Sequence, residues 1–288
     1  LLPIIPSSAE KLGASIPVAG FITGLLMLGV LIADLPAGRL VDRIGERRAM
    51  LMGATAGFLG VLLLATSFTL WLMGAGALLL GIGVAIFALA RHAFFAEHIP
   101  LHFRARALSL LGGTFRAGAF VGPLIGSWLI LSFGVNSVYW FSASACVAAG
   151  WILLSARPDS IKSTPVSQKG GIWKTAKENR VQLLTLGVGS AILGAVRTTR
   201  QIGLPLWALM ISLSPEEVSL YIGLAGVLDF ALFYTSGQIM DRWGRIWAAV
   251  PPLIGLALLH GMMFLVHDGT GFLLMACGMA LANGLGSG

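Results

Sequence analysis

Long apolar runs dominate this sequence and limit what it can fold into. A helix needs about 20 mostly apolar residues to cross the hydrocarbon core of a bilayer. Runs of that length recur eight times, separated by short polar connections, and a ninth begins near residue 271. The complete runs cover residues 15–38, 49–68, 70–96, 106–131, 136–156, 182–210, 217–238 and 247–266. The sequence therefore predicts an all-α, multi-pass integral membrane protein.

The composition excludes the common soluble classes. Hydrophobic residues make up 57% of the chain and charged residues only 11%, whereas a soluble domain has about 25% charged residues. A cytosolic enzyme or a nucleic-acid binder is therefore disfavoured. The two cysteines, Cys146 and Cys277, lie in apolar runs and fit no disulfide or zinc framework. No nucleotide-binding or hydrolase motif is present, so we expect no enzymatic activity, no cofactor and no metal.

Positive charge is distributed unevenly between the connections. Of the 19 Lys and Arg residues, 14 lie in every second connection and only Lys11 lies in the alternate ones. The excess of basic residues marks cytoplasmic loops in membrane proteins. The fourteen are Arg39, Arg43, Arg47, Arg48, Arg104, Arg106, Arg157, Lys162, Lys169, Lys174, Lys177, Arg180, Arg242 and Arg245. The bias predicts an orientation for every span.

An internal repeat divides the chain. GRLVDRIG begins at Gly38 and GQIMDRWG begins at Gly237, 199 residues later, with four of eight positions identical. Two such halves joined by a cytoplasmic segment are typical of a parallel transporter repeat. We predict an N-terminal bundle over 1–156, a cytoplasmic linker over 157–181 and a C-terminal bundle over 182–288. The linker is either disordered or holds a short interfacial helix anchored by Trp173. A matching pair of halves implies twelve helices, of which this chain would lack most of the first, part of the tenth and the last two.

The repeated segment resembles motif A of the major facilitator superfamily, which lies between the second and third helices. A second motif, in the run at 106–131, resembles motif C of that family. The motif A residues are Gly38, Asp42, Arg43, Gly45, Arg47 and Arg48, with the second copy at Gly237, Asp241, Arg242, Gly244 and Arg245. The motif C residues are Gly118, Gly122, Pro123 and Gly126. The resemblance implies a fold of two six-helix bundles related by a pseudo-twofold axis, here truncated at both ends.

Motif C is typical of the proton-coupled antiporter branch, especially of twelve-helix drug antiporters. Its glycines are spaced i, i+4, i+8 and predict a groove for a partner helix, while Pro123 removes a backbone hydrogen bond and permits a bend. Ordinary glycine-mediated packing is the alternative. The branch usually carries a motif B arginine, and here no basic residue precedes Arg91 in the run at 70–96.

Motif A also has a direct physical interpretation. Gly38 permits a close helix approach, Gly45 permits a tight turn, and Asp42 can accept bonds from a helix N-terminus or an arginine. Arginines 43, 47 and 48 suit lipid phosphates or acidic partners. The resemblance implies a latch that holds the outward-facing state, and Asp34, one turn earlier, is expected to join that gating network. A basic loop that only sets topology is the alternative.

Four charged residues lie within the predicted spans, near mid-membrane. An ionised side chain at the bilayer centre costs about 2.5–3.5 kcal/mol, so such residues usually line a cavity or pair with one another. The candidates for substrate binding or proton coupling are Asp229, Arg116, Arg197 and Arg200, with the adjacent Gln201. An Asp229–arginine pair that opens and closes could move a proton; a permanent structural ion pair is the alternative.

These observations predict a secondary transporter that works by rocker-switch alternating access. The resemblance favours proton-coupled efflux of hydrophobic or amphipathic compounds. A sugar or organic-anion carrier of the same fold is the alternative, and a transporter-like receptor or scaffold without transport is an alternative of another class. The expected partners are a small-molecule substrate, protons and the lipid bilayer, without nucleic acid. We expect a monomer in the plasma (inner) membrane of a bacterium.

Overall fold

The computed structural model describes residues 1–155 and 179–286, and within these ranges the chain is helical with short connections. The predicted linker lies outside the described residues as far as residue 178, and so does the interfacial helix at Trp173. Ten helices are numbered here in chain order. They are α1 (Ile5–Lys11), α2 (Ile16–Ile44), α3 (Glu46–Ala65), α4 (Leu70–His98), α5 (Leu101–Phe133), α6 (Asn136–Ser155), α7 (Val188–Met210), α8 (Pro215–Trp243), α9 (Arg245–Gly261) and α10 (Gly269–Leu285). A π-helical turn, Leu183–Gly187, precedes α7.

The sequence repeat is also a repeat of helix boundaries. Helices α2 and α8 both have 29 residues, and α8 begins 199 positions after α2. Helix α10 begins 199 positions after α4. Gly45 and Gly244 separate the equivalent helix pairs and have φ angles of 82° and 87°, a conformation that glycine adopts without a Cβ clash. The tight turn predicted at Gly45 is therefore present, and its repeat copy has the same backbone.

Helix starts follow from local capping chemistry. The Thr69 and Asp268 side chains accept hydrogen bonds from backbone N–H groups of the first turns of α4 and α10. Ser214 and Glu217 form a reciprocal capping box at the start of α8, which satisfies two donors that the helix leaves unpaired. These caps lie at the end of the molecule opposite the motif A loop, where the predicted non-cytoplasmic connections run.

Six of the described helices are long and apolar enough to cross a membrane: Ile16–Ile44, Glu46–Ala65, Leu70–His98, His102–Phe133, Asn136–Ser155 and Pro215–Met240. They match six of the eight predicted spans. The spans predicted at 182–210 and 247–266 are helices α7 and α9, which fall below that threshold. Helix α7 carries two arginines, and α9 has only 17 residues. Large apolar side chains are exposed along the helices, including Trp71 at 90% and Leu131 at 70%, as expected for a protein surrounded by lipid.

Glycine allows the closest helix contacts. A Cβ added at Gly81 of α4 would overlap the carbonyl oxygen of Leu26 in α2, and one at Gly29 would overlap the carbonyl oxygen of Leu78. Helices α3 and α4 approach in the same way through Gly53, Gly60 and Gly83 and their neighbours. Lipid tails are as apolar as the helix side chains, so apolar burial alone does not drive helices together. Small residues instead allow two backbones to approach closely and gain van der Waals contact.

Two main clusters of buried apolar side chains organise the helices. One joins α1, α2, α3, α4 and α6 with Leu209 of α7, and includes Ile22, Met73 and Tyr139. The other joins α7, α8, α9 and α10 and includes Phe272 and Met279. Helix α5 packs mainly along α8, and α2 meets α7 where Leu206 packs against Gly20. Helix α7 therefore contributes to both clusters, and the α5–α8 contact carries the charged site.

Candidate functional site

Asp229 lies at the centre of a charged network that joins four helices. Its Oδ1 accepts a hydrogen bond from Arg116 Nη1 of α5 at 2.9 Å. Its Oδ2 accepts bonds from Arg200 Nη2 of α7 at 3.1 Å and from Asn283 Nδ2 of α10 at 2.7 Å. The side chains of Asp229, Arg116 and Arg200 are 14%, 20% and 18% exposed. The predicted pairing of Asp229 with mid-membrane arginines is thus present, with two of the three candidate arginines.

Asn283 is the network residue that the sequence interpretation missed. It lies in an apolar run, GMALANGLG, where an isolated amide is the only polar side chain. The next residue, Gly284, allows α10 to come close to the backbone of Asp229: an added Cβ would lie 3.3 Å from the Cα of Asp229. An amide beside a glycine within an apolar helix was the signal that could have identified it.

Arg197 lies beside the network and does not share its carboxylate. Its Nη2 donates to the carbonyl oxygen of Gly286 at 2.8 Å. Its Nε is buried and has no hydrogen-bond partner among the described residues. The charges of Arg116, Asp229 and Arg200 all act on it. The described part of this region therefore holds three arginines and one carboxylate.

Gln201 is not brought into the network. Its side chain is exposed, because it follows Arg200 by one residue and a helix turns about 100° per residue. No hydrogen bond from it is found in the described part of the chain. Its predicted part in binding or coupling thus has no geometric support from the Asp229 cluster.

Aromatic rings flank the charged network along α5 and α8. The guanidinium carbon of Arg116 lies 4.5 Å from the centre of the Phe233 ring, within the range of a cation–π contact. Phe120 and Phe230 pair one turn further along, with ring centres 5.3 Å apart. These rings shield one side of the ion pair from water, which strengthens its electrostatic interactions.

A groove of about 700 Å³ lies between α5 and α8 on the motif A side of the Asp229 network. Its lining includes Arg106, Leu110 and Gly113 of α5, and Phe230 and Phe233 of α8. A volume of this size is typical of small-molecule sites. The groove is shallow, widely open and mainly apolar, with Arg106 at the end nearest the predicted cytoplasmic loops.

Motif C lies in α5 but does not provide the close contact with α8. A Cβ added at Gly118 or Gly122 would meet nothing within 4 Å, and one at Gly126 would reach Val138 of α6 at 4.0 Å. The predicted partner-helix groove of these glycines is therefore unfilled by described residues. Pro123 lies inside a helix that continues to Phe133.

The glycines that seat α5 against α8 belong to α8. A Cβ at Gly223 would lie 2.7 Å from Leu124, and one at Gly226 would lie 2.7 Å from Phe120. Ser127 extends this contact by donating to the carbonyl oxygen of Glu216 at 2.9 Å. These two glycines of α8 were not identified from the sequence, because no motif marks them.

The first motif A copy is anchored to α6 by one arginine. Arg47 donates from Nε to the carbonyl oxygen of Leu153 and from Nη2 to that of Leu154, both at 2.8 Å. These are among the last carbonyls of α6, which lack intrahelical partners and carry partial negative charge. The predicted role of Arg47 as a contact for lipid or acidic partners has no support in these two bonds, which instead cap a helix.

The remaining motif A residues are open to the surroundings. Asp34, Asp42, Arg43 and Arg48 are exposed, and an added Cβ at Gly38 would reach only Leu89, at 3.7 Å. In the second copy Arg242 is exposed, and Gly244 forms the turn. The side chains of Gly237, Asp241 and Arg245 lie outside those that the structure describes. The gating role of both copies, and of Asp34, stays a prediction.

Replacing Arg47 by alanine should destabilise the α3–α6 contact by about 1.5 kcal/mol, because hydrogen bonds from a charged donor contribute about that much. Faster amide hydrogen exchange in the last turn of α6, together with a lower unfolding temperature in detergent, would show it. Arg48→Ala is the matched control, since it removes the same charge from the neighbouring exposed position. Equal effects of the two variants would contradict the capping role.

Comparison with known proteins places this architecture in one family. The sequence profile of the Major Facilitator Superfamily matches residues 1–288. The multidrug resistance protein MdtH of Yersinia pestis (strain Pestoides F) is 27% identical over 237 residues, which is 82% of this chain and 57% of that protein. An uncharacterised MFS-type transporter of Mycobacterium tuberculosis (strain H37Rv) is 26% identical over 158 residues, 55% of this chain and 23% of the relative. The chain thus spans less than two thirds of the length of these relatives.

Solved structures show the same fold at lower sequence identity. A D-xylose–proton symporter superposes with a TM-score of 0.71 at 15% identity, over 98% of this chain and 75% of that one. The inward-open xylose transporter XylE from E. coli also reaches 0.71, at 16% identity, over 99% of this chain and 76% of that one. Homologues in this family are transporters rather than enzymes. The helices, the repeated turn and the full-length profile match together show that this integral membrane chain belongs to the Major Facilitator Superfamily.

Proposed function

We propose that this chain is part of a proton-coupled secondary transporter that exports small hydrophobic or amphipathic compounds by alternating access. The observation that carries the proposal is the Asp229 network, in which one carboxylate accepts bonds from α5, α7 and α10. The similarity to a multidrug resistance protein over 82% of the chain supports export. The bacterial relatives support a location in the inner membrane.

The network suits coupling because it crosses between the two predicted bundles. Arg116 belongs to α5 and Asp229 to α8, so rocking of one bundle against the other changes their separation. A proton on Asp229 removes the negative charge that holds Arg116 and Arg200, which frees α5 to move. Loss of that proton on the opposite side restores the ion pairs. One proton thereby crosses in one direction for each movement of substrate in the other.

The same geometry separates the coupling group from the groove. Asp229 has both oxygens engaged, whereas Phe230 and Phe233, on neighbouring positions of α8, line the groove. A solute in the groove therefore lies against the helix that carries the coupling carboxylate. Movement of α8 with bound solute is the physical link between binding and proton release.

The test uses the complete gene product in proteoliposomes loaded with a pH-sensitive dye. Amphipathic cations, sugars and organic anions are added in turn, and substrate-triggered proton flux is recorded. We expect Asp229→Asn to reduce that flux to the level of empty liposomes while substrate exchange without net proton movement persists, because asparagine keeps hydrogen bonds but cannot carry a proton. Asp268→Asn is the matched control: asparagine is an equally good helix cap, so flux should be retained.

Other outcomes would redirect the proposal. Normal flux in Asp229→Asn would place the coupling group elsewhere in the protein. Solute uptake without proton movement would indicate a carrier of sugars or organic anions that is not coupled to protons. Active, correctly folded protein that moves neither solutes nor protons would support the receptor or scaffold alternative.

A further inference from the structure

The charge that the described residues place at the groove between α5 and α8 is positive. Arg106 is among the lining residues, and the guanidinium of Arg116, which does not line the groove, lies over the ring of the lining residue Phe233. No acidic side chain is among the described residues that line it. The nearest carboxylate, Asp229, already accepts three hydrogen bonds from its own network. A solute in the groove therefore meets the positive charge of Arg106, with the charge of Arg116 next to the Phe233 ring.

The two arginines are not equivalent. Arg116 is committed to Asp229, whereas Arg106 is exposed and makes no ion pair with any side chain that the structure describes. Between them the surface is apolar, formed by Leu110, Phe230 and Phe233. An apolar wall with a single available cation at its mouth suits a molecule that has an apolar body and an anionic end.

The charges around the groove also favour an anionic solute. The described mid-membrane region holds Arg116, Arg197 and Arg200 against one carboxylate, Asp229. Interactions between charges are stronger in such a partly water-excluded region than in bulk water. An amphipathic cation entering the groove is repelled by this excess, and an amphipathic anion is attracted by it.

We propose that the groove binds the transported solute and that this solute is an amphipathic anion. A drug-sized apolar body packs against Phe230 and Phe233, and a carboxylate or sulfonate pairs with Arg106. This inference rests on the proposed transport function and deepens it by naming the substrate class. Binding at Arg106 leaves the Asp229 network intact, so the anion site and the coupling group are separate.

The test measures equilibrium binding of three fluorescent probes with one shared apolar group. Dansylglycine carries a negative charge, dansylamide is neutral and dansylcadaverine carries a positive charge. The complete protein is held in phosphatidylcholine nanodiscs, and binding is followed by dansyl fluorescence. We expect the affinity order dansylglycine, dansylamide, dansylcadaverine.

Substitutions at Arg106 then locate the site. Arg106→Gln should weaken dansylglycine binding about fivefold, the effect of a partly exposed ion pair, and leave dansylamide binding unchanged. Arg106→Lys should retain most of the affinity because it keeps the charge. Arg180→Gln, which removes a cytoplasmic-side charge outside the groove, should bind all three probes as the wild type does. The Arg106 side chain is exposed, so these variants are expected to fold normally.

Three results would overturn the inference. They are equal or tighter binding of dansylcadaverine, unchanged dansylglycine binding in Arg106→Gln, and loss of dansylglycine binding when phosphatidylglycerol is added to the nanodiscs. The last result would identify a lipid headgroup as the occupant. Proton flux that is triggered by a cation and lost in Asp229→Asn would leave the transport proposal standing while this inference fails. Anion-selective binding without any flux would support an anion site in the groove and contradict the transport proposal.

Discussion

Replacing Gly81 by alanine is expected to lower the free energy of unfolding by about 3 kcal/mol, at the upper end of the usual cost of overpacking. The added methyl group would overlap the carbonyl oxygen of Leu26 and lie 3.1 Å from the backbone nitrogen of Val30. Backbone atoms cannot rotate away as a flexible side chain can. Helices α2 and α4 would therefore have to separate along their contact. Unfolding of the complete protein by increasing sodium dodecyl sulfate, followed by tryptophan fluorescence, would measure the loss.

A glycine in the same helix pair provides the matched control. Gly24 of α2 has nothing within 4 Å of an added Cβ, so Gly24→Ala should be neutral or stabilising by up to about 1 kcal/mol through helix propensity. Gly29→Ala, on the other side of the Gly81 contact, should resemble Gly81→Ala because its methyl group would overlap the Leu78 carbonyl. Similar stability of all three variants would mean that close α2–α4 packing does not support the fold.

Replacing Asp229 by leucine is expected to destabilise the protein by about 3 kcal/mol. Removing one partner of a buried ion pair usually costs 3–5 kcal/mol, and the lower end applies because these side chains remain 14–20% exposed. Arg116 and Arg200 would then face each other without the carboxylate that separates their charges. The effect should appear in detergent as a lower unfolding temperature and as a lower denaturant midpoint.

Removal of the arginines should reverse most of that loss. A triple variant with Asp229→Leu, Arg116→Gln and Arg200→Gln no longer contains unpaired charge, and well-packed neutral substitutes for buried ion pairs are often close to neutral in stability. Asp229→Asn should lie between the wild type and Asp229→Leu, because the amide still accepts one hydrogen bond. If the triple variant is less stable than Asp229→Leu, the network stabilises the fold by packing rather than by charge compensation.

These two predictions concern different kinds of information in the sequence. The close contact at Gly81 depends on where α2 crosses α4, and glycine is frequent enough in this chain, 38 of 288 residues, that composition alone does not identify which ones touch. Gly24 and Gly29 are five residues apart in one helix, yet only Gly29 meets another backbone. Periodicity predicts a helix, but it does not predict the neighbour of each face.

Charged residues were more predictable than packing residues. Asp229, Arg116 and Arg200 could be grouped from sequence because ionised side chains are costly in a bilayer and must find partners. The structure brings these three together, leaves Gln201 outside and adds Asn283. The amide was missed because a neutral polar residue costs much less in an apolar helix and so gives a weaker signal. Its approach depends on Gly284 in a helix distant along the chain.

The motifs also differ in how well the sequence alone predicts their role. Gly45 and Gly244 could be predicted as turns because their conformation is a local property of the backbone. Motif C predicts a groove on α5 for a partner helix, and this stays a prediction; at the contact between α5 and α8, Gly223 and Gly226 of α8 provide the space. A glycine stripe can be recognised in a sequence, but which side of a contact uses it depends on how two helices are rotated about their axes.

The sequence by itself determined the long apolar helices, the 199-residue repeat and the family, and it predicts an orientation for the helices. Each depends on local properties: apolar length, the charge of the loops, and the spacing of glycine, aspartate and arginine in the repeated turn. The tertiary structure alone decided which arginines share the Asp229 carboxylate, which glycines touch a neighbouring backbone, and where the α5–α8 groove lies. Those features depend on the crossing positions and rotations of helices far apart in the chain, and in a bilayer many such arrangements bury similar apolar area. Close backbone packing and charge compensation select among them.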